Sequence, residues 1–173
     1  MEEILDVVDK TDKFVRKATR KEVMEKALMH RDSRVVIENS KGEFLVQKRS
    51  MNKDTYPEHW DIGVAETVKS GESYEGAAMR GLVEEVGIIG ISNIQLIHSL
   101  LFKIKYNSPK KNEHVKVYKI FYDGKLTIQK EEIDETKFLT KEDVTNLIEK
   151  LPFHPVGNMV FERYLEMKQN KIL

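Results

Sequence analysis

The sequence predicts an α/β fold: a mixed sheet layered between helices as an α/β/α sandwich, with a loop–helix–loop segment set into it. Three observations carry that expectation. Short runs rich in Val, Ile, Leu and Phe, separated by turn residues, recur between Ile4 and Tyr122 in the manner of strands. One capped amphipathic stretch, Ser73 to Gly87, interrupts them as a helix. Two further helical patterns follow Thr140, and strands mixed with helices in this way pack as layers.

In chain order, Ile4 to Asp9 reads as a strand, Lys10 to Lys13 as its turn and Phe14 to Lys17 as the returning strand. Thr19 then caps a short helix through Lys26, with Glu22 completing a capping box. Arg34 to Glu38 and Phe44 to Arg49 flank the Asn39-Ser40-Lys41-Gly42 turn and make a second hairpin. Its last two residues, Lys48 and Arg49, are either solvated charges or a pair converging on one anion. Ser50 to Thr55 is a polar loop, and Trp60 to Ala65 alternates as one strand, with Trp60 as core or as a wall of a binding site. Ile94 to Tyr106 is apolar enough for a buried strand, Asn107 to Asn112 breaks it, and Glu113 to Tyr122 pairs back. On that strand Val115, Val117 and Phe121 share one face, and Tyr118, Ile120 and Tyr122 the other. Asp123-Gly124 turns the chain. Thr140 and Asp143 cap a helix from Lys141 to Leu151, and after Pro152 and Pro155 a last helix runs from about Asn158 to Gln169.

The 173 residues are read as one domain, 1–173, with a hairpin and short helix in 1–30 and the closing helices in 140–173. A chain of this length buries roughly 70% of the surface it exposes when unfolded, so no covalent staple is needed. The absence of cysteine excludes disulfides, thiolate metal sites and a cysteine nucleophile. Lys plus Arg and Asp plus Glu each total 29, so no net field draws the chain to a nucleic-acid polymer. With no run long enough to span a membrane and an acidic start, a cytoplasmic location is expected. Assembly state is open, with a homodimer as the default expectation.

The chemistry concentrates between Glu66 and Ile88. Ser73 can accept a backbone N–H of the first helical turn, and Gly87 is placed to end the helix in the left-handed conformation. Ala77, Ala78, Leu82, Val83 and Val86 fall at helical spacing and form the stripe expected to be buried. Arg80, Gly81, Glu84 and Glu85 cluster on one side of the last two turns, so two adjacent carboxylates are expected to project from one helix end. That end is negative by its dipole, and the acids repel each other and it. Either the end is solvated, or a hard divalent cation with oxygen ligands, Mg²⁺ above all, compensates it together with Arg80.

The spacing resembles the box of the Nudix hydrolase family: Gly, five residues, Glu, seven residues, Arg-Glu, a bulky aliphatic, any residue, Glu-Glu, any residue, Gly, a bulky aliphatic. Glu72, Arg80, Leu82, Glu84, Glu85, Gly87 and Ile88 match it. Two positions depart: Glu66 stands at the first Gly, and Gly81 at the Glu that follows Arg. From Leu5 to Asp9, through His30-Arg31, Gln47-Lys48-Arg49 and Pro57 to Trp60, to Asn112-Glu113, the chain looks like the branch that includes type 1 isopentenyl-diphosphate isomerase. Placed on this sequence, the isomerase's Cys is Ala65, its following His is Thr67 and one upstream His is Val23, so its proton-transfer groups are missing.

The resemblance therefore implies a Nudix-type sandwich and a Mg²⁺- or Mn²⁺-dependent pyrophosphohydrolase acting on a small nucleoside diphosphate or a derivative of one. The alternative is a Nudix-fold protein that binds such a ligand without turnover, and an isomerase ranks below both. In the hydrolase reading Glu85 and Glu84 hold the metal, Arg80 orients them, Glu113 is the outer carboxylate or general base, and Lys48 and Arg49 hold substrate phosphate. Glu72 belongs to the hydrogen bonding of its own loop. Glu66 is an added metal-ligand candidate, an acid that reaches across to restore the charge missing at Gly81.

Overall fold

The computed structural model describes residues 2–91, 94–104 and 111–172. The loop expected from Asn107 to Asn112 lies outside them except for its last two residues, which are strand; Tyr106, the expected end of the preceding strand, lies outside as well.

The first hairpin forms as expected, β1 (Ile4–Val8) antiparallel to β2 (Phe14–Thr19). Thr19 caps α1 (Arg20–Glu25) by accepting from Glu22 N–H, but the box is only half made, because the Glu22 carboxylate goes to Arg16 and Lys26. Oppositely charged side chains compete for that carboxylate better than a backbone amide does.

The main sheet is organised by β3 (His30–Glu38) and β4 (Phe44–Arg49), the second hairpin. On one flank β3 pairs in parallel with β8 (Lys111–Phe121), and β7 (Gln95–Ile104) adds antiparallel to β8. β7 ends that side of the strand order, with Leu96 exposed and Ile97 packed against the core at its start. The stretch expected as one strand from Trp60 to Ala65 is two. β5 (Trp60–Ile62) pairs with β4 and β6 (Val64–Thr67) with β3, with Gly63 between them. Gly63 sits at φ +60°, donates its N–H to Leu45 O at 2.8 Å, and has no room for a Cβ against the carbonyl oxygen of Val35. Only glycine lets the chain step from one strand of the hairpin to the other there.

A ninth strand, β9 (Ile133–Leu139), pairs with β4 on the side away from β5. Sequence reading missed it because its one buried position, Ile133, stands at its start and is followed by the polar run Asp134-Glu135-Thr136-Lys137 with no apolar alternation. Such a strand is specified by the partner it pairs with more than by its own composition.

Helices cover both faces of the sheet. α2 (Tyr74–Val86) lays Ala77, Ala78, Leu82 and Val86 against Val35, Ile37 and Leu45. Ser73 caps it through Gly76 N–H at 2.9 Å, and Gly87 closes it at φ +69°. Val83 does not join the stripe: it is exposed, and the buried arc turns instead through Gly81 and Glu85. On the opposite face α3 (Lys141–Lys150) and α4 (Pro155–Gln169) cover Val36, Phe44, Val115 and Val117 with Val144, Val160, Phe161 and Tyr164. Thr140 and Asp143 form the expected cap, with the Thr140 hydroxyl accepting from Asp143 N–H at 3.2 Å and donating to its carboxylate at 2.8 Å. α4 begins three residues earlier than expected, with His154 as N-cap, since a proline at the first helical position costs no hydrogen bond. Phe121, expected to share the face of Val115 and Val117, is exposed at the end of β8. Among the described residues, no helix is long and apolar enough to cross a membrane.

Candidate functional site

The box helix meets the sheet at β6, and the two departures from the pattern meet there too. Gly81 faces Glu66: a Cβ at 81 would lie 2.5 Å from Glu66 Cγ and 2.7 Å from Val64 Cγ1. The side chain of Glu66 thus fills the space that a larger residue at 81 would need, and its carboxylate comes to the α2 side of the sheet. Arg80 gathers it in. Nη1 of Arg80 donates to Glu66 at 2.7 Å and, more loosely, to Glu84 at 3.4 Å, while Nε and Nη2 form a fork on the two oxygens of Glu72 at 3.0 Å each. The expected i,i+4 pair of Arg80 with Glu84 is therefore its weakest contact. Glu72 also accepts from Lys69 N–H, as expected of a loop residue, and although burial pushes its carboxyl up, Arg80 and that amide bring it below the usual carboxylate range.

Glu84 and Glu85 do not project together. Neighbours on a helix point about 100° apart, so Glu84 stays half-exposed while Glu85 is buried under the sheet, where its Oε2 accepts from Gln47 Nε2 at 3.1 Å. Burial first, and the Glu66 carboxylate second, push the Glu85 carboxyl up to about 8. Burial also raises Glu66, against the pull of Arg80.

These groups border a cavity of about 830 Å³. Glu66, Arg80, Glu84 and Arg49 line it; Glu85 lies behind the wall, close enough for Glu66, Lys53 and Arg49 to act on its charge. Lys48 does not line the cavity. Strand alternation sends it to the other side from Arg49, where it stands 3.7 Å from Glu58. Arg49 is buried and fixed by two carbonyls, Tyr56 O at 3.1 Å from Nε and Thr55 O at 2.8 Å from Nη2, which orient the guanidinium without neutralising it. Glu113 also stands apart. It is fully buried on β8, its carboxylate 3.6 Å from His30 Nε2, on the face of the sheet that carries Val115 and Val117. Asp32 and Arg34 pair in register with Val115 and Val117, so Glu113 shares the face of those two cavity residues and acts on the charge of Arg34 without itself lining the cavity. Trp60 is core, packed under α4 rather than lining the cavity.

Sequence reading missed several lining residues. Lys53 comes from the polar loop after β4 and pairs with Glu132, just before β9. Asp32 and Arg34 alternate on β3 toward the cavity, and Arg34 bridges Asp32 at 3.3 Å and Asp61 at 2.9 Å. Burial would lower the Arg34 pKa, but Asp61 and Asp32 outweigh it and raise it. The His154 cap accepts from Gly157 N–H at 3.4 Å and lines the same wall. The one available signal was Asp61, a charged residue between Trp60 and Ile62, since such a charge is rarely buried unless paired.

The donor set suits a hard cation. Glu66, Glu84 and Glu85 offer carboxylate oxygens only, and the Gln47 amide oxygen beside Glu85 is buried without a hydrogen-bond donor among the described residues. Among those residues no three His, Asp or Glu side chains are already drawn together in ligating positions.

A model of the NUDIX domain matches residues 28–158. Over 164 residues the chain is 30% identical to an uncharacterised Nudix hydrolase of Pseudomonas aeruginosa, an alignment covering 95% of this chain and 94% of that protein. It superposes on the crystal structure of DR0079 from Deinococcus radiodurans with a TM-score of 0.79 and 23% identity, over 93% of this chain and 98% of the other. The NUDIX domain of Shewanella oneidensis NrtR, complexed with ADP ribose, superposes with a TM-score of 0.61 and 15% identity, over 86% and 98%.

Proposed function

This chain belongs to the Nudix family, and from that premise we propose that it is a Mg²⁺- or Mn²⁺-dependent hydrolase splitting the diphosphate of a nucleoside diphosphate or of one of its derivatives. The observation that carries the reading is the contact of Glu66 with Gly81. It returns to the site the carboxylate that the box lacks at 81, from the strand instead of the helix. Glu85, Glu84 and Glu66 are the residues that would hold the cation. When bound, a divalent ion there supplies Lewis-acid charge to the diphosphate oxygens. Arg80 holds Glu66 and Glu84 in place, as the fixed partner of a ligating carboxylate does. Glu84, half-exposed at the cavity wall, is the carboxylate that solvent reaches and so the one placed to take a proton from water. Arg49 and Lys53 present charged N–H groups to the phosphate oxygens.

The test is a panel of nucleoside diphosphates, nucleotide sugars including ADP ribose, dinucleoside polyphosphates and coenzyme A with Mg²⁺ or Mn²⁺, with Glu85→Gln as the blank. Product above the blank supports the hydrolase. Binding of a panel member with no product above the blank rejects it in favour of a protein that binds without turnover. Within an active panel, Arg49→Ala is expected to raise KM by about 10-fold or more, because a hydrogen bond to a charged group contributes roughly 1.5–3 kcal/mol. Lys48→Ala, on the other side of β4, is expected to leave KM within about twofold, since exposed ion pairs contribute little.

A further inference from the structure

The N-terminal segment precedes the residues matched by the family model, yet it is built into the cavity. Leu5 bridges Lys69 of the loop before α2, Ser70 N–H donates to Ile4 O at 2.8 Å, and the Tyr74 hydroxyl on α2 donates to Asp12 at 2.8 Å. The backbone bridge, made by that Ser70 hydrogen bond, and the Tyr74 contact are two ties that hold the hairpin against the box loop and helix as a fixed wall. Beside Ile4, its contribution to the cavity is polar: Glu2 and Glu3 ahead of β1, and Arg20 opening α1. Arg20 donates from Nη1 to Glu3 Oε2 at 3.1 Å and from its own backbone N–H to Glu3 O at 2.9 Å, so side chain and main chain fix the pair together. The two side chains remain 32% and 28% exposed, open enough to meet a ligand.

We propose that Glu3 and Arg20 form a subsite for a sugar ring, recognised through a pair of adjacent hydroxyl groups, and so set substrate specificity. Charge decides against the other groups that a diphosphate could carry. A further phosphate would meet a guanidinium already matched by Glu3, with Glu2 beside it. A base would need an open platform to stack on, and among the described lining residues the one aromatic ring is His154, buried as the cap of α4, while only Ile4 and Ala65 are aliphatic. A diol answers a carboxylate and a guanidinium side by side, since one hydroxyl donates to the first and its neighbour accepts from the second. The volume of about 830 Å³ lies within the range of small-molecule sites and leaves room for a sugar beside a diphosphate.

The inference rests on the diphosphate reading, and its test separates the two. The α,β-methylene analogues of ADP, of 2′,3′-dideoxy-ADP and of ADP ribose, which water does not split, are titrated with Mg²⁺ into the full chain. Either the dideoxy change or the loss of the second ribose is expected to weaken binding by about 10-fold, the scale of hydrogen bonds to charged groups. The first outcome assigns the diol to the nucleoside's own ribose, the second to a sugar carried on the far phosphate. In Arg20→Ala and Glu3→Gln, shown by thermal melting to be folded, that factor is expected to fall to about twofold or less, with Arg20→Lys in between. Wild-type binding indifferent to both changes overturns the subsite even where hydrolysis is observed, as does a diol preference that both variants keep. A diol preference lost in the variants, in a protein that releases no product from any substrate, upholds the subsite and rejects the hydrolase. No binding of any analogue overturns the subsite, while the hydrolase still stands or falls on the broader panel above.

Discussion

Glu85→Gln is expected to slow hydrolysis about a thousandfold and, in protein freed of divalent ions, to raise the melting temperature above that of the wild type at pH 8. The rate follows from the role proposed for the carboxylate. Charge stabilisation by a bound cation is worth several kcal/mol at the transition state, and about 4 kcal/mol is roughly a thousandfold in rate. The stability follows from burial. Glu85 has its carboxyl pushed up to about 8, by desolvation first and then by Glu66, from an unfolded value near 4.5. Between those values the folded state holds a proton that the unfolded state has released, so stability falls as pH rises through that window. It is fully present below about 4.5 and lost by about 8. The substituting amide keeps an oxygen for the Gln47 N–H and carries no charge to bury, so the variant escapes the decline. Melting curves in EDTA from pH 5 to pH 8.5 are expected to slope downward in the wild type and less so in the variant. They should separate by about 2–8 °C at the alkaline end, because each kcal/mol moves a chain of this size by roughly 2–4 °C. Adding Mg²⁺ at pH 8 is expected to reverse the order, by stabilising only the protein that can bind it. Parallel curves in EDTA would contradict the burial argument, and a variant as active as the wild type would contradict the assignment of Glu85.

What the sequence revealed and what it concealed divide along the range of the interactions involved. Caps are local: Thr19, Ser73, Gly87 and Thr140 each act within a few residues, and all four are found where their neighbours place them. The box spacing is local too, and it located Arg80, Glu84 and Glu85 on one helix. It did not separate the fates of the last two, since which of two adjacent acids is buried depends on where the sheet lies. Lys48 and Arg49 looked equivalent for the same reason, and only their opposite sides of β4 distinguish a surface charge from a cavity wall. β9 and the break at Gly63 exist because of strands far away in the chain, β4 for the first and the β3–β4 pair for the second. Arg20, Lys53 and Asp32 reach one cavity from three distant segments, a convergence that no spacing rule contains.

The exchange of Glu66 and Gly81 makes the other large prediction, and it concerns a pair of residues rather than either one. Gly81→Glu alone is expected to destabilise the protein by about 1–3 kcal/mol, the usual cost of overpacking. Its Cβ would fall 2.5 Å from Glu66 Cγ and 2.7 Å from Val64 Cγ1, and its carboxylate would join Glu66 and Glu85 in a space too small for three charges. Glu66→Gly alone is expected to keep the fold, with a loss of roughly 0.5–1 kcal/mol for glycine in a strand. It should lose metal affinity and most of its turnover, since it clears the space over residue 81 and leaves one acid fewer at the site. The two changes together restore the arrangement of the family pattern, with the acid on the helix and glycine on the strand. The double variant is therefore expected to melt above Gly81→Glu and to recover metal affinity and rate to within about tenfold of the wild type. A departure from additivity of about 1–3 kcal/mol is the size found between residues in contact. Melting curves, Mg²⁺ or Mn²⁺ titrations and rates on the four proteins of the cycle measure it directly. If the effects of the two changes simply add, the carboxylates at the two positions act independently, and Glu66 does not stand in for the acid that the helix lacks.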